Sequence, residues 1–174
     1  SHRRLSLGNV KALARIVPSV AKRWCIDPAR VYFAGHSDGG TVSTALALLP
    51  ETRALVRGIA VSAAGFQRVD AESIGCPPGP LRVMVMHGRQ DTHFPGFGGE
   101  MVRWWSECFG CDAEPAPPDA QGCRRYASCG ASELSYCEGP QGHVKWPGLE
   151  DQMVEFLLRG RRPDAEAGGD GGRR

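Results

Sequence analysis

The sequence of 174 residues has no long apolar run, no excess of one charge and no leader-like N-terminus. No stretch reaches the eighteen or so apolar residues of a membrane-spanning helix, which excludes a membrane span. The net charge is only +2, whereas a nucleic-acid surface needs a concentrated basic face. The first residues also lack the order of charged, apolar and small residues that marks a signal peptide. Neither a membrane-spanning nor a nucleic-acid-binding protein is indicated.

Cysteine, by contrast, is abundant, with seven in the chain. Five of them cluster within thirty residues, namely Cys108, Cys111, Cys123, Cys129 and Cys137. They flank a Pro-rich, polar stretch over 112–122, and a loop with so few apolar side chains gains order from disulfides. The alternative is a zinc site, but only one pair has the two-residue spacer and no His follows nearby. We predict disulfides, an extracellular or periplasmic location and one cysteine left without a partner in the chain.

Apolar periodicity predicts alternating helices and strands. The helices are expected over 7–24 (a kinked helix or two short ones, because Pro18 interrupts the pattern), 41–49, 100–108 and 150–158. The strands are expected over 31–34, 58–63, 81–86 and 133–137. The run at 31–34 is typical of a strand that is buried on both faces. This alternation predicts an α/β fold with a doubly wound, mainly parallel sheet of about four strands. We expect one domain over 1–160 and a disordered tail over 161–174.

A G-x-S-x-G pattern, Gly35-His-Ser-Asp-Gly39, stands between a predicted strand and a predicted helix. This context is typical of a nucleophile elbow, in which Ser37 projects above the edge of the sheet. The tight turn is expected to leave no room for side chains at Gly35 and Gly39. It also leaves the N–H of Asp38 at a helix N-terminus, where it can bind an oxyanion. The alternative is a plain glycine-rich turn, such as one that binds phosphate.

A serine needs a base and an orienting acid before it becomes a good nucleophile. In this kind of fold the acid and then the histidine follow the serine, in loops after later strands. Asp91 follows the predicted third strand and His143 follows the fourth. Because reactive groups gather at the carboxyl ends of parallel strands, we predict that Ser37, Asp91 and His143 meet there.

Other residues compete for these roles. The remaining histidines are His2, His36, His87 and His93. We expect His87 to be structural, His93 to be too near Asp91 in sequence to be its partner, and His36 to point away from Ser37. His2 lies in a terminus that is expected to fray. Asp38 is the main competitor as the acid, but it belongs to the elbow helix and is not expected to reach His143.

These residues together resemble a known family. The run IDPARVY followed by GHSDGG, the segment HGRQDTHFP at 87–95 and the segment GHVKWPG at 142–148 are similar to motifs of secreted α/β-hydrolases, the polyhydroxybutyrate depolymerase and feruloyl esterase group. The resemblance covers about residues 8–158. It implies a serine esterase with the α/β-hydrolase fold that needs no metal or organic cofactor. It also implies a Cys111–Cys129 disulfide and a substrate site that includes His36 and Trp146.

The chain departs from the family pattern at two points. One extra residue separates His143 from Trp146. No strand is predicted before Val31 and no His-Gly loop precedes the elbow, so the strand at 31–34, which is central in the family, is expected to be an uncovered edge of the sheet. The chain therefore resembles the C-terminal portion of the fold, and its partners would be an ester substrate and the missing N-terminal half. Loss of one oxyanion donor costs about 10²- to 10³-fold in rate, which predicts a weak enzyme. The rival hypotheses are a non-catalytic, ligand- or partner-binding remnant and a cytosolic enzyme similar to dienelactone hydrolases or peptidases.

Overall fold

The computed structural model describes residues 7–159, which form one five-stranded sheet and six helices. The strands are β1 (Tyr32–His36), β2 (Gly58–Ser62), β3 (Arg82–Gly88), β4 (Cys123–Tyr126) and β5 (Glu133–Gly139). The helices are α1 (Leu7–Ala14), α2 (Ile16–Ala21), α3 (Asp38–Leu48), α4 (Arg68–Ile74), α5 (Phe97–Phe109) and α6 (Glu150–Leu158). The strand order is β1-β2-β3-β5-β4, and all neighbours are parallel except β4 and β5, which are antiparallel.

Alternating side chains of the central strands face two apolar layers, because successive residues of a strand point to opposite faces. On one face Ile59, Val61, Val83 and Val85 pack with residues of α1, α3, α4 and α5. On the other face Ala60, Met84 and Met86 pack with Phe156 and Leu157 of α6. Helices therefore cover both faces, which confirms the predicted doubly wound, mainly parallel α/β sheet.

The first strand lies at an edge of the sheet, as expected from the lack of a predicted strand before Val31, and β1 pairs with β2 alone among the described strands. The burial on both faces that the run at 31–34 indicated is not observed. The residues of β1 are half-buried, and Ala34 is exposed. A short apolar run fits a central strand and an edge strand equally well, and only its neighbours decide which one it becomes.

Two elements have no counterpart in the predictions. The antiparallel strand β4 carries Arg124 and Arg125 and shows no apolar alternation, so its extended form comes from pairing with β5. Helix α4 buries only Ala71, which is too little to give a helical pattern. The segment 7–24 forms two short helices, α1 and α2, which is one of the two outcomes expected there, although the helices are divided at Arg15 and not at Pro18. Two 3₁₀ turns lie at Pro28–Arg30 and Arg53–Leu55.

The clustered cysteines form disulfides, as predicted. The structure joins Cys76 to Cys108, Cys111 to Cys129 and Cys123 to Cys137, and it leaves Cys25 as a free, exposed thiol. The second of these pairs is the one that the family resemblance implied. Over residues 7–159, no group of three or more His, Cys, Asp or Glu side chains could hold a metal ion. Three disulfides fit an oxidising environment.

The disulfide Cys76–Cys108, which spans 32 positions of the chain, should contribute most to stability because it closes the longest loop. Replacing both cysteines by serine is expected to lower the free energy of unfolding by about 3–4 kcal/mol. Urea unfolding under oxidising conditions measures this loss. The matched control is Cys25→Ser, which removes a thiol without opening a loop and should change stability by less than about 0.5 kcal/mol. Equal stability of the double variant and the parent would contradict the expectation.

Some expectations fall outside the described residues. His2 and the tail expected over 161–174 belong to these parts of the chain, and the boundaries of the predicted domain stay a prediction. Within 7–159, none of the helices has both the length and the apolar character needed to cross a bilayer.

Candidate active site

The turn between β1 and α3 presents Ser37 at the carboxyl edge of the sheet. Ser37 follows the last residue of β1 and precedes the first residue of α3. Its backbone has a φ of 53° and a ψ of −120°, a positive-φ conformation that costs a residue with a side chain about 1–3 kcal/mol. The Ser37 N–H donates to the carbonyl oxygen of Ser62 at 2.9 Å. The strained turn is thus tied to the neighbouring strand β2.

Of the two glycines predicted to have no room for a side chain, Gly35 has none and Gly39 has open space. A Cβ on Gly35 would lie 2.4 Å from the carbonyl carbon of Gly39, so Gly35 has no room for a side chain. A Cβ on Gly40 would lie 3.1 Å from the carbonyl oxygen of Ser62. A Cβ on Gly39 would meet no atom within 4 Å. The turn therefore requires a residue without a side chain at Gly35 and favours one at Gly40, whereas Gly39 takes part in the close approach only through its backbone.

Asp91 lies in the loop after β3 and is buried, with 4% of its surface exposed. Its Oδ1 accepts hydrogen bonds from the N–H groups of His93 and Phe94, both at 2.9 Å. Burial raises the pKa of the Asp91 carboxyl, but the Phe94 N–H, His143 and the His93 N–H favour the charged form. These hydrogen bonds outweigh the burial, so the pKa of Asp91 lies below its ordinary value and the group is a carboxylate at neutral pH.

His143 joins Ser37 to Asp91. It lies between β5 and α6, in the segment 140–149, and its Nε2 is 2.8 Å from Ser37 Oγ. Its Nδ1 is 3.0 Å from Asp91 Oδ2. A carboxylate only accepts, so Nδ1 carries the hydrogen and Nε2 is free to accept the hydroxyl hydrogen of Ser37. A hydroxyl on an imidazole that is held by a carboxylate is the arrangement that activates a serine as a nucleophile.

A hydrogen-bond donor for a developing oxyanion lies next to Ser37. Asp38 is the first residue of α3, and the first N–H groups of a helix have no acceptor within the helix. The positive end of the helix dipole favours negative charge at the same place. The backbone N–H of Asp38 therefore has the character that the predicted oxyanion donor needs.

Of the two residues predicted to contact substrate, His36 lies beside His143 and Trp146 lies beside His36. The ring nitrogens of His36 face Ser62 Oγ at 3.1 Å and the carbonyl oxygen of His143 at 2.7 Å. Trp146 stands edge-on to His36, with ring centroids 5.8 Å apart, and packs against the apolar layer of α6. The contact of either residue with substrate stays a prediction. For His36, the nitrogens are already engaged with protein atoms.

The other histidines differ in their relation to the site. His87 is 4% exposed, and burial lowers the pKa of its imidazole, which favours the neutral form. Its Nε2 is 3.9 Å from Asp91 Oδ2, which is too far for a hydrogen bond. This fits the structural role that was expected. His93 is exposed, and its ring centroid is 4.7 Å from that of His143, whereas His2 lies outside the described residues.

Sequence reasoning missed three residues that contact the site. The His93 and Phe94 rings both flank the His143 ring, Phe94 edge-on at 5.1 Å between centroids. Their position directly after Asp91 was a signal, because the loop that carries the acid also has to bring neighbours towards the histidine. Ser62 is the third, and it ends β2 opposite His36 in the parallel register. Its signal was its place at the carboxyl end of a predicted strand.

Comparison with solved structures finds proteins that are similar to this chain. No protein-family model matches the sequence, and no curated protein matches it. Among solved structures it is similar to an acetyl xylan esterase from Aspergillus awamori, at 18% identity and a TM-score of 0.65 over 86% of this chain. SOBER1 of Arabidopsis thaliana matches 88% of the chain at 19% identity and a TM-score of 0.57. A carboxylesterase from Mesorhizobium loti matches 89% at 19% identity and a TM-score of 0.56.

The chain spans only part of each neighbour. The matches cover 66% of the acetyl xylan esterase, 63% of SOBER1 and 61% of the carboxylesterase. At identities below a fifth, such likeness concerns the arrangement of the backbone. The mainly parallel sheet, the helices on both of its faces and these neighbours show that the chain has the α/β-hydrolase fold.

Proposed function

We propose that the chain is a serine esterase in which Ser37, His143 and Asp91 cleave a carboxylic ester through an acyl-enzyme. The observation that carries the proposal is the unbroken chain of hydrogen bonds, 2.8 Å from Ser37 to His143 and 3.0 Å from His143 to Asp91. The strained turn at Ser37 and the order serine, acid, histidine support it. The neighbours named as esterases support the class of substrate by analogy of fold.

In the first half of the reaction, Ser37 Oγ attacks the ester carbonyl carbon. Its proton passes to His143 Nε2, and Asp91 stabilises the imidazolium through Nδ1–H. The carbonyl oxygen becomes an oxyanion, which accepts a hydrogen bond from the N–H of Asp38. The bond to the alcohol oxygen then breaks, and His143 returns the proton to the leaving alcohol.

In the second half, a water molecule attacks the acyl carbon and gives its proton to His143. The bond between the acyl carbon and Ser37 Oγ breaks, and the proton returns to Oγ. The product is the free acid, and every group is restored. Each step uses only this chain's residues and water, so the proposed mechanism needs no metal or organic cofactor.

The proposed substrates are the esters that the family resemblance implies. These are polyhydroxyalkanoates and the feruloyl or acetyl esters of polysaccharides, and the polyhydroxybutyrate depolymerase and feruloyl esterase group is the proposed family. The proposed location is extracellular or periplasmic, because three disulfides require an oxidising environment to persist. The same disulfides count against a cytosolic enzyme similar to dienelactone hydrolases or peptidases.

A second candidate is a binding module without catalytic activity. It is favoured by the open edge at β1 and by the coverage of less than two thirds of the neighbouring structures. On the esterase proposal, the same edge is where further strands, the N-terminal half of the domain, pair with Tyr32–His36. An edge strand offers unpaired N–H and C=O groups for such pairing.

A fluorophosphonate tests the esterase proposal directly, because it reacts with a serine that an assembled base activates. We expect the intact mass of the folded chain to increase by one adduct, and peptide mapping to locate it at Ser37. The control is the same chain after unfolding in urea, which should not react. A folded sample without an adduct, or one labelled at another residue, would favour the binding module.

A further inference from the structure

His36 makes two contacts that the proposed reaction does not use. It is the last residue of β1 and directly precedes Ser37. One ring nitrogen, Nε2, is 2.7 Å from the carbonyl oxygen of His143, and the other, Nδ1, is 3.1 Å from Ser62 Oγ. The side chain therefore links the ends of β1 and β2 to the segment that carries the histidine.

The chemistry of these partners sets the tautomer of His36. A carbonyl oxygen only accepts hydrogen bonds, so Nε2 carries the hydrogen and donates it to His143. In the neutral ring Nδ1 then has a lone pair, which accepts the hydroxyl hydrogen of Ser62. Because Ser62 is only 2% exposed, its hydroxyl has little access to water and depends on this partner.

Ser62 also holds the nucleophile from the other side. Its carbonyl oxygen accepts the N–H of Ser37 at 2.9 Å. One residue at the end of β2 therefore fixes the backbone of Ser37 through its main chain and the ring of His36 through its side chain. The His36 ring in turn binds the backbone of His143. The proposed nucleophile and the proposed base are therefore both held, directly or through His36, by Ser62.

The backbone of His143 needs such a contact because it lies in a segment without regular structure. Residues 140–149 join β5 to α6 and form neither helix nor strand. The next residue, Val144, is 88% exposed and does not anchor the segment in the core. Ser37 and Asp91 hold the His143 ring, and the His36 contact holds its carbonyl group, which together restrict rotation about the bonds between ring and backbone.

We propose that His36 is a positioning residue that holds the His143 carbonyl through Nε2–H, in a tautomer selected by the Ser62 hydroxyl. The proposal rests on the proposed roles of Ser37 and His143, which it deepens. Misplacing a reacting group by about 1 Å costs about 10²-fold in rate. The contribution of His36 is to hold the base within hydrogen-bond reach of the nucleophile.

Three substitutions of His36 test the proposal. His36→Phe keeps a planar ring but has no donor, and it should lower kcat for an activated short-chain ester by about 10- to 10²-fold with little change in KM. In His36→Gln the side-chain amide reaches about as far as Nε2 and should restore much of the rate. His36→Asn is the matched control, because its shorter amide does not reach the carbonyl and should be as slow as the Phe variant.

A double-mutant cycle isolates the part played by Ser62. Ser62→Ala removes the hydroxyl but keeps the carbonyl oxygen that binds the Ser37 N–H. It should lower kcat in the parent and have no further effect in His36→Phe, because the hydroxyl acts only through the ring. Additive effects of the two substitutions would overturn the assignment of the tautomer to Ser62.

A second readout does not depend on turnover. Amide hydrogen exchange in residues 140–149 should be faster in His36→Phe and His36→Asn than in the parent and His36→Gln, with unchanged unfolding midpoints. Unchanged kcat and exchange in His36→Phe would overturn the proposal, and so would equal losses in the Gln and Asn variants. If the parent neither turns over ester nor reacts with a fluorophosphonate while exchange follows the expected order, the esterase proposal fails and the contact of His36 stands.

Discussion

Ser37→Ala is expected to lower kcat for an activated short-chain ester by up to about 10⁶-fold, the loss seen when a serine nucleophile is removed from a hydrolase. The variant keeps the positive-φ turn and the N–H of Asp38, but it has no group that can form the acyl-enzyme. The measurement is the initial rate of ester hydrolysis against the uncatalysed rate in the same buffer. If the parent is a weak enzyme, as the lack of a second oxyanion donor predicts, the rate of hydrolysis by the variant should equal the uncatalysed rate.

Ser73→Ala is the matched control for this substitution. It removes a hydroxyl that donates to the Asp70 carbonyl oxygen on the exposed side of α4, so the rate should equal that of the parent. Both variants should unfold cooperatively at midpoints near the parent value. A Ser37→Ala rate close to that of the parent would exclude Ser37 as the nucleophile.

Asp91→Asn is expected to lower kcat by about 10⁴-fold, because an amide in place of the carboxylate favours the wrong tautomer of the histidine. The amide can donate to His143 Nδ1, and Nε2 would then carry a hydrogen towards Ser37 and could not accept one. Steady-state kinetics with the same ester measures the loss. Asp70→Asn, an exposed change in α4, is the control and should leave kcat unchanged.

The same substitution should change how stability depends on pH. Hydrogen bonds hold the pKa of Asp91 below its ordinary value in spite of its burial. A depressed pKa in the folded state means that its contribution to stability is complete above the ordinary value and is lost as the pH falls through the folded value. The parent should lose this contribution in acid, and Asp91→Asn should lack it at every pH. Parallel curves of stability against pH for the two proteins would contradict the lowered pKa.

The parts of the fold that could be predicted are those with a local pattern. Strands β2 and β3 are continuous apolar runs, and the elbow combines glycines with a serine between a strand and a helix. The positions of Asp91 and His143 followed from a rule about parallel strands, since both come after strands whose carboxyl ends share one edge. These features depend on short stretches of sequence and on the direction of the chain.

The features that could not be predicted depend on neighbours distant in sequence. Strand β4 has arginines at positions where a strand predicted from its sequence would have apolar side chains. It is extended because β5 and the Cys123–Cys137 disulfide hold it. The limited space at Gly40 could not be predicted because Ser62 and Ala64, which belong to another part of the chain, lie next to the turn.

The contacts of His36 show the same limit at the site. Its position beside Ser37 was evident, but the partners of its ring are 26 and 107 positions away in sequence. Which nitrogen carries the hydrogen follows from those partners alone. A motif therefore indicates that a histidine lies near the nucleophile, and only the assembled sheet shows what the ring binds.

The disulfides divide the molecule into two halves of unequal resistance to opening. All three bonds lie on the side of α4, α5, β4 and β5, whereas β1 and α1 to α3 have none among the described residues. A partial unfolding event would therefore begin at the end that carries Ser37 and leave Asp91 and His143 together. The strand that leads to the proposed nucleophile lies at the edge of the sheet that has no disulfide, so the active arrangement would be lost by release of this strand before the rest of the domain unfolds.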